Sequence, residues 1–228
     1  TLTKEQPLRF ARLQLRIPEA ANPAFVQQLL WGLADAEDAE PESLAAAIED
    51  AFRRDRQKFD DGIIRIIEKH PALAQLDRCW SILTWYIVNG DAQESDVVEA
   101  EQIERETVTI DVLINRGSKL HIRGVNGARG SALEALAAVL WAVPERKKEA
   151  WSIIESRVRL EERMGVRCCI PRSLTPLFNE DKQRCAALLD QLVADVETER
   201  HKRLAAALSS MSFSPQRLPA FARRLIAR

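Results

Sequence analysis

Apolar residues recur at three- and four-residue intervals along most of this chain, which is the period of a helix with one buried face. A helix is predicted to begin at Asn22 and Pro23, because Asn caps helix starts and Pro suits the first helical position. Its apolar stripe consists of Phe25, Leu29, Leu30 and Leu33. A second amphipathic helix is predicted to begin at Pro41.

Four isoleucines lie close together in the next segment, at positions 63, 64, 66 and 67. Taken alone they fit a short strand or a helix, but the pattern on both sides is helical, so we predict a helix that ends before Pro71. Residues 76–88 form the most apolar segment of the chain. This segment is predicted to be buried on most sides.

The composition also favours helices. The 228 residues include 31 Ala but only 8 Gly and one Tyr, a bias toward the best helix former. Lys plus Arg number 33 and Asp plus Glu number 34, so the bulk charge points to no particular partner. No apolar run approaches the roughly 20 residues that cross a bilayer, and the polar start contains no secretory hydrophobic region, which predicts a cytoplasmic protein. A start at Thr1 rather than Met fits either a processed chain or a piece of a longer one.

An acidic stretch at residues 91–106 divides the chain and predicts a solvated loop or surface helix. We therefore predict an N-terminal helical half at residues 1–106 and a second half at residues 107–228, which together could form one continuous array. Residues 107–114 alternate between apolar and polar positions like a strand, yet no partner strand is visible, so they are interpreted as a short helix.

The second half contains an internal repeat. A shift of 38 residues aligns Arg129 with Arg167, Leu136 with Leu174, Trp151 with Leu189 and Val158 with Val196. Helices are predicted at residues 129–142, 144–164, 166–178, 181–196, 199–208 and 215–227. Two helices per unit of about 40 residues are typical of HEAT repeats. The predicted fold is all-α, an α-solenoid of HEAT-like antiparallel helix pairs with about ten helices; the competing prediction is a compact irregular bundle.

Side chains that could carry chemistry are sparse. The cysteines (Cys79, Cys168, Cys169 and Cys185) form no CxxC pair and do not lie near a His at ligand spacing, so no metal site is predicted and packing as small apolar side chains is favoured. No catalytic grouping of Ser, His and acid is recognisable, which predicts a protein that is not an enzyme and needs no cofactor. The tryptophans at positions 31, 80, 85, 141 and 151 are predicted to lie in the core.

A basic, glycine-rich segment at residues 115–130 is the one candidate binding site. Its possible ligand- or partner-binding residues are Arg116, Lys119, His121, Arg123 and Arg129. Gly127 and Gly130 would let backbone amides approach a ligand at the start of the following helix. In the alternative, structural interpretation, Arg129 and Arg167 bind carbonyls or carboxylates of the adjacent repeat, and the glycines permit a tight entry to a crowded helix.

The tail at residues 200–228 carries seven Lys or Arg residues and no acid. Contact with nucleic acid is conceivable on this ground, because neutralising phosphates releases counterions. The tail holds few aromatic residues for base stacking, which favours contact with another domain or a partner.

Three stretches, residues 7–33, 124–141 and 165–181, resemble the HEAT-type helical region of large bacterial P-loop NTPases of the STAND or NACHT kind, many of them antiphage defence proteins. Asn126, Arg129 and Gly130, then Val166 and Arg167, match the typical pattern of an Asn, an Arg-Gly pair opening an Ala-rich helix, and an apolar-Arg start to the next unit. The resemblance implies a sensor or scaffold region beside a nucleotide-driven switch. The chain has no GxxxxGK[ST] motif, so hydrolysis would belong to another part of such a protein.

Two functional hypotheses follow. The first is a non-catalytic helical-repeat module that binds a protein partner or the remaining domains of a parent chain. The second is a HEAT-like protein that binds nucleic acid through the basic segment and tail.

Overall fold

The computed structural model describes residues 6–18, 22–92 and 121–194. Within these ranges every regular element is helical, which confirms the all-α class there. The helices are α1 (Pro7–Gln14), α2 (Pro23–Ala34), α3 (Pro41–Arg54), α4 (Asp60–Lys69), α5 (Asp77–Asn89), α6 (Ala128–Ala142), α7 (Lys147–Leu160), α8 (Met164–Leu174) and α9 (Lys182–Ala194). Short 3₁₀ turns occupy Pro71–Gln75, Pro144–Arg146 and Thr175–Leu177, and residues 121–125 are also helical. None of these described helices is long and apolar enough to span a bilayer.

The helix starts follow the capping signals in the sequence. The Asn22 side chain accepts a hydrogen bond from the backbone N–H of Ala24 at 3.0 Å, which confirms the predicted cap. The isoleucine segment is helical, and all four of its isoleucines are buried. Helix α1 was not among the predicted elements. The helices predicted at 107–114, 199–208 and 215–227 lie outside the described residues.

The predicted helix at 144–164 is divided differently in the structure. Pro144–Arg146 forms a 3₁₀ turn, α7 ends at Leu160, and Met164 begins α8. The chain is extended at Glu161, with ψ of 117°, so the helix cannot continue through this residue. This break lets the chain turn back toward α6.

Alternate helices pack against one another. Helix α2 contacts α4, α4 contacts α6, and α6 contacts α8, while α3 contacts α5 and α7 contacts α9. Short connections join the two members of each of the pairs α2–α3, α4–α5, α6–α7 and α8–α9. The first helices of successive pairs therefore contact one another, and the second helices do so for α3 with α5 and for α7 with α9, whereas α5 packs mainly against α6.

One hydrophobic core extends from Ala11 in α1 to Leu192 in α9. It therefore crosses the predicted division at residue 106, which itself lies outside the described residues. Polar contacts reinforce the joint between the two parts: Trp80 Nε1 donates to Glu149 at 2.6 Å, and Arg146 Nε donates to the Ala74 carbonyl at 2.9 Å.

The tryptophans divide into two groups. Trp80 and Trp151 are buried and Trp85 is half-buried, in line with the prediction. The prediction was wrong for Trp31 and Trp141, which are 40% and 57% exposed. Trp31 Nε1 donates to Asp61 Oδ2 at 2.8 Å, so its polar edge is paired at the surface.

Candidate functional site

A buried polar cluster lies where residues 121–125, α6 and α8 meet. It consists of His121, Glu134 and Cys169, which we call the His–Glu–Cys cluster. A carboxylate can only accept, so Nε2–H of His121 donates to Glu134 Oε1, at 2.8 Å. The candidate ligand atoms of all three residues lie within 4.8 Å of one another, and all three side chains are buried. Side chains from three helical elements thus meet at one polar site within the apolar core.

Glycines allow this close convergence. A Cβ atom added at Gly124 would lie 2.0 Å from the Gly165 carbonyl oxygen, and one added at Gly130 would lie 2.1 Å from the Gly124 oxygen. The same two positions face Cys169 Sγ, at 2.9 and 3.1 Å from the added atoms. The backbones therefore meet at a distance that only glycine permits.

The Glu134 carboxylate is shared between two elements. Oε1 accepts the hydrogen bond from His121, and Arg172 Nη1 of α8 lies 2.6 Å from Oε2 as an ion pair. Within the described residues, Oε2 has no partner that meets the geometry of a hydrogen bond. The Arg172 side chain is 45% exposed, so its guanidinium is partly solvated. A carboxylate this deeply buried depends on such partners, because an unpaired buried charge is strongly unfavourable.

The Cys169 side chain is fully buried, and its Sγ atom donates to the Gly165 carbonyl at 3.5 Å. Burial raises the pKa of this thiol well above its ordinary value. It is therefore a neutral thiol near pH 7 and a poor nucleophile. The other cysteines are also free and buried, which confirms the prediction that they pack as apolar side chains.

Native-state thiol reactivity tests this arrangement. Burial raises the pKa of Cys79 and of Cys185 to about 11, so few thiolates form at pH 8. We expect an aromatic disulfide reagent to titrate all four thiols rapidly in denaturant and to react much more slowly with the folded chain. Because Cys79, Cys169 and Cys185 ionise at lower pH in the unfolded chain, the free energy of unfolding should fall as the pH rises from about 9 toward 11. Equally fast reaction of folded and unfolded protein would contradict the burial of these side chains.

The sequence-predicted binding residues do not form one described surface. His121 belongs to the buried cluster, and Arg116 and Lys119 lie outside the described residues. Arg123 is half-buried and has an interaction partner. Arg129 donates from Nε to the Gly90 carbonyl at 3.2 Å and from Nη1 to both oxygens of Glu161, at 3.1 and 3.0 Å. Its guanidinium thus joins the start of α6 to the ends of α5 and α7.

The repeat-equivalent Arg167 makes related contacts. It donates to the Glu161 carbonyl at 2.6 Å and to the Leu192 carbonyl at 2.9 Å. The Glu161 carboxylate is fully buried and also accepts from the backbone N–H of Arg163 at 3.1 Å. The Arg157 guanidinium lies 3.7 Å from the same carboxylate. These are contacts of the kind that the structural interpretation of Arg129 and Arg167 describes.

Comparison with known proteins adds no relative to this picture. No protein-family model, curated protein or solved structure matches the chain. The likeness to STAND-type NTPases therefore stays a prediction from short motifs. Two of those motif residues, Arg129 and Arg167, have the contacts described above.

Spacing along the sequence could not reveal the His–Glu–Cys cluster. Its members come from three separate helical elements, whereas linear metal-site signatures depend on ligands close in sequence. The 38-residue repeat held the only usable signal. It aligns Cys169 with Ser131, one helical turn from Glu134, and thus indicates that Cys169 and Glu134 face one another if the repeat units are neighbours.

Proposed function

We propose that this chain is a non-catalytic helical-repeat module that acts as the sensor or scaffold region of a bacterial antiphage-defence NTPase. The observation that carries the proposal is the packing of alternate helices, α2 with α4, α4 with α6, and α6 with α8. In HEAT-like solenoids each helix pair covers the apolar face of its neighbour, which produces contacts of this type. The contacts of α3 with α5 and of α7 with α9 extend this arrangement to the second helices of the first two and the last two pairs, whereas α5 packs mainly against α6.

The buried ionic groups support a scaffold role because they connect successive helix pairs. Arg129 of α6 donates to the Gly90 carbonyl at the end of α5, and Arg167 of α8 donates to the Glu161 carbonyl at the end of α7. Trp80 of α5 donates to Glu149 of α7. These polar side chains are therefore engaged in contacts between units, which is a structural use rather than a catalytic one.

Large apolar side chains on the surface support a protein partner. Trp141 is 57% exposed, Leu160 65%, Ile122 56% and Phe25 49%. Exposed aromatic residues are enriched at protein interfaces, and Trp is the residue type that most often dominates their binding energy. Trp141, at the end of α6, is the strongest single candidate for contact with a partner.

Site-specific crosslinking tests the proposal. A photoreactive amino acid is placed at Trp141, and separately at the exposed polar control Gln183, in the chain expressed with its natural flanking sequence. Phage-infected cells should yield one discrete protein product from position 141 and none from position 183. With that purified partner, Trp141→Ala should weaken the Kd by about 30-fold, the effect of losing one central interface Trp, and Gln183→Ala should leave it unchanged.

Two results would contradict this function. One is equal affinity of the Trp141→Ala and wild-type chains for the crosslinked partner. The other is turnover of a nucleotide by the purified chain alone, because the proposal assigns hydrolysis to another domain.

The nucleic-acid hypothesis has no comparable support among the described residues. Of the predicted basic segment, Arg129 is engaged by Glu161 and His121 by Glu134. Salt-dependent binding of duplex DNA that weakens in an Arg123→Ala chain would nevertheless favour it over the scaffold proposal.

A further inference from the structure

The His–Glu–Cys cluster brings three kinds of metal-ligand atom together inside the core. An imidazole nitrogen, a carboxylate oxygen and a thiol sulfur are the three ligand types that zinc uses in proteins. Ca²⁺ and Mg²⁺ prefer sites made of oxygen ligands alone. A site with sulfur and nitrogen donors therefore suits them poorly. The donor set therefore points to a transition metal of the zinc class.

The spacing of the donors fits an ion of that size. In a tetrahedral site with zinc bonds of about 2.0–2.3 Å, donor atoms lie about 3.3–3.8 Å apart. The candidate ligand atoms of His121, Glu134 and Cys169 lie within 4.8 Å of one another, so a contraction of about 1 Å brings all three to one tetrahedral ion. His121 Nε2 and Glu134 Oε1, now 2.8 Å apart, would separate slightly to admit it.

The charges also fit a dication. The cluster contains a buried carboxylate, whose Oε2 atom lies 2.6 Å from Arg172 Nη1, and a buried thiol that becomes an anion on binding metal. A dication would balance the thiolate and the carboxylate. Arg172, which pairs with Glu134 and is 45% exposed, can retain its charge in solvent.

We propose that His121, Glu134 and Cys169 form a zinc-binding site that ties residues 121–125 to α6 and α8. The Cys169 thiol releases its proton to solvent and bonds to the metal through sulfur. The His121 ring proton moves from Nε2 to Nδ1, so that the imidazole binds as a neutral base. Glu134 contributes one carboxylate oxygen. Three protein ligands leave a fourth position of the tetrahedron for water or another group.

Titration of the full chain with Co²⁺, after removal of metals with a chelator, tests the proposal. We expect one Co²⁺ per chain, an absorption band from thiolate-to-cobalt charge transfer, and loss of that band when Zn²⁺ is added. Zinc at 100 times its Kd should raise the melting temperature by roughly 5–10 °C. The Cys169→Ser chain should lose the band, and Glu134→Gln should bind Co²⁺ at least tenfold more weakly.

Cys168→Ser is the matched control, because Cys168 is the adjacent, equally buried cysteine outside the cluster. It should retain the charge-transfer band. If Cys169→Ser does not fold, X-ray absorption of the wild-type cobalt complex reports the sulfur ligand directly. Absence of a sulfur ligand, absence of the band in the wild type, or loss of the band in Cys168→Ser with retention in Cys169→Ser would each overturn the proposal.

Discussion

Replacement of Glu161 by alanine is expected to lower the free energy of unfolding by about 3–5 kcal/mol, the range for removing one partner of a buried ion pair. The Glu161 carboxylate is fully buried and accepts from Arg129 at 3.0 and 3.1 Å. Its loss would leave the Arg129 guanidinium, 22% exposed, and the Arg157 guanidinium, 10% exposed, without this counter-charge. It would also remove the acceptor of the Arg163 backbone N–H.

Denaturant unfolding of the purified chain measures this effect. Glu162→Ala is the matched control, since it removes the neighbouring, exposed carboxylate, and it should change stability by less than about 0.5 kcal/mol. Glu161→Gln, which keeps the size of the side chain, should still be strongly destabilising because the arginine charges remain uncompensated. Similar stability of the Glu161→Ala and Glu162→Ala chains would show that the ion pairs around Glu161 contribute little.

Gly124→Ala is expected to destabilise the chain by about 3 kcal/mol or more, at the upper end of the effects of overpacking. The added methyl carbon would lie 2.0 Å from the Gly165 carbonyl oxygen and 2.5 Å from its carbonyl carbon. These are backbone atoms, so a side-chain rotation cannot relieve the overlap. Residues 121–125 would have to move away from α8.

Ile122→Ala serves as the control for this substitution, because Ile122 lies in the same helical segment and is 56% exposed. Its stability should stay within about 0.5 kcal/mol of the wild type, whereas Gly124→Ala should lower the midpoint of denaturant unfolding clearly. Equal stabilities would mean that the backbones at Gly124 and Gly165 can separate at little cost. Measuring the Co²⁺ affinity of the Gly124→Ala and Ile122→Ala chains would show whether the close approach of the backbones at Gly124 and Gly165 also positions His121.

Local signals were sufficient to predict several helices. The Asn22 cap, the prolines at 23 and 41 and the isoleucine spacing each act within a few residues, and the structure places helices at all three segments. The buried state of the cysteines followed from their low polarity. Exposure of Trp31 and Trp141 was not predictable in this way, because it depends on how far a neighbouring helix extends across each apolar face.

The amino-acid sequence by itself determined the helical class of the described residues, since helix propensity, capping and apolar periodicity are properties of neighbouring positions. Through the 38-residue repeat it also indicated that Arg129 and Arg167 occupy equivalent positions in their repeat units. Only the tertiary structure showed that the Glu161 carboxylate accepts hydrogen bonds from Arg129, and that His121, Glu134 and Cys169 form one cluster. These groupings depend on how separate helices pack against one another, with glycine backbones allowing close approach, and no local sequence pattern encodes such a distance.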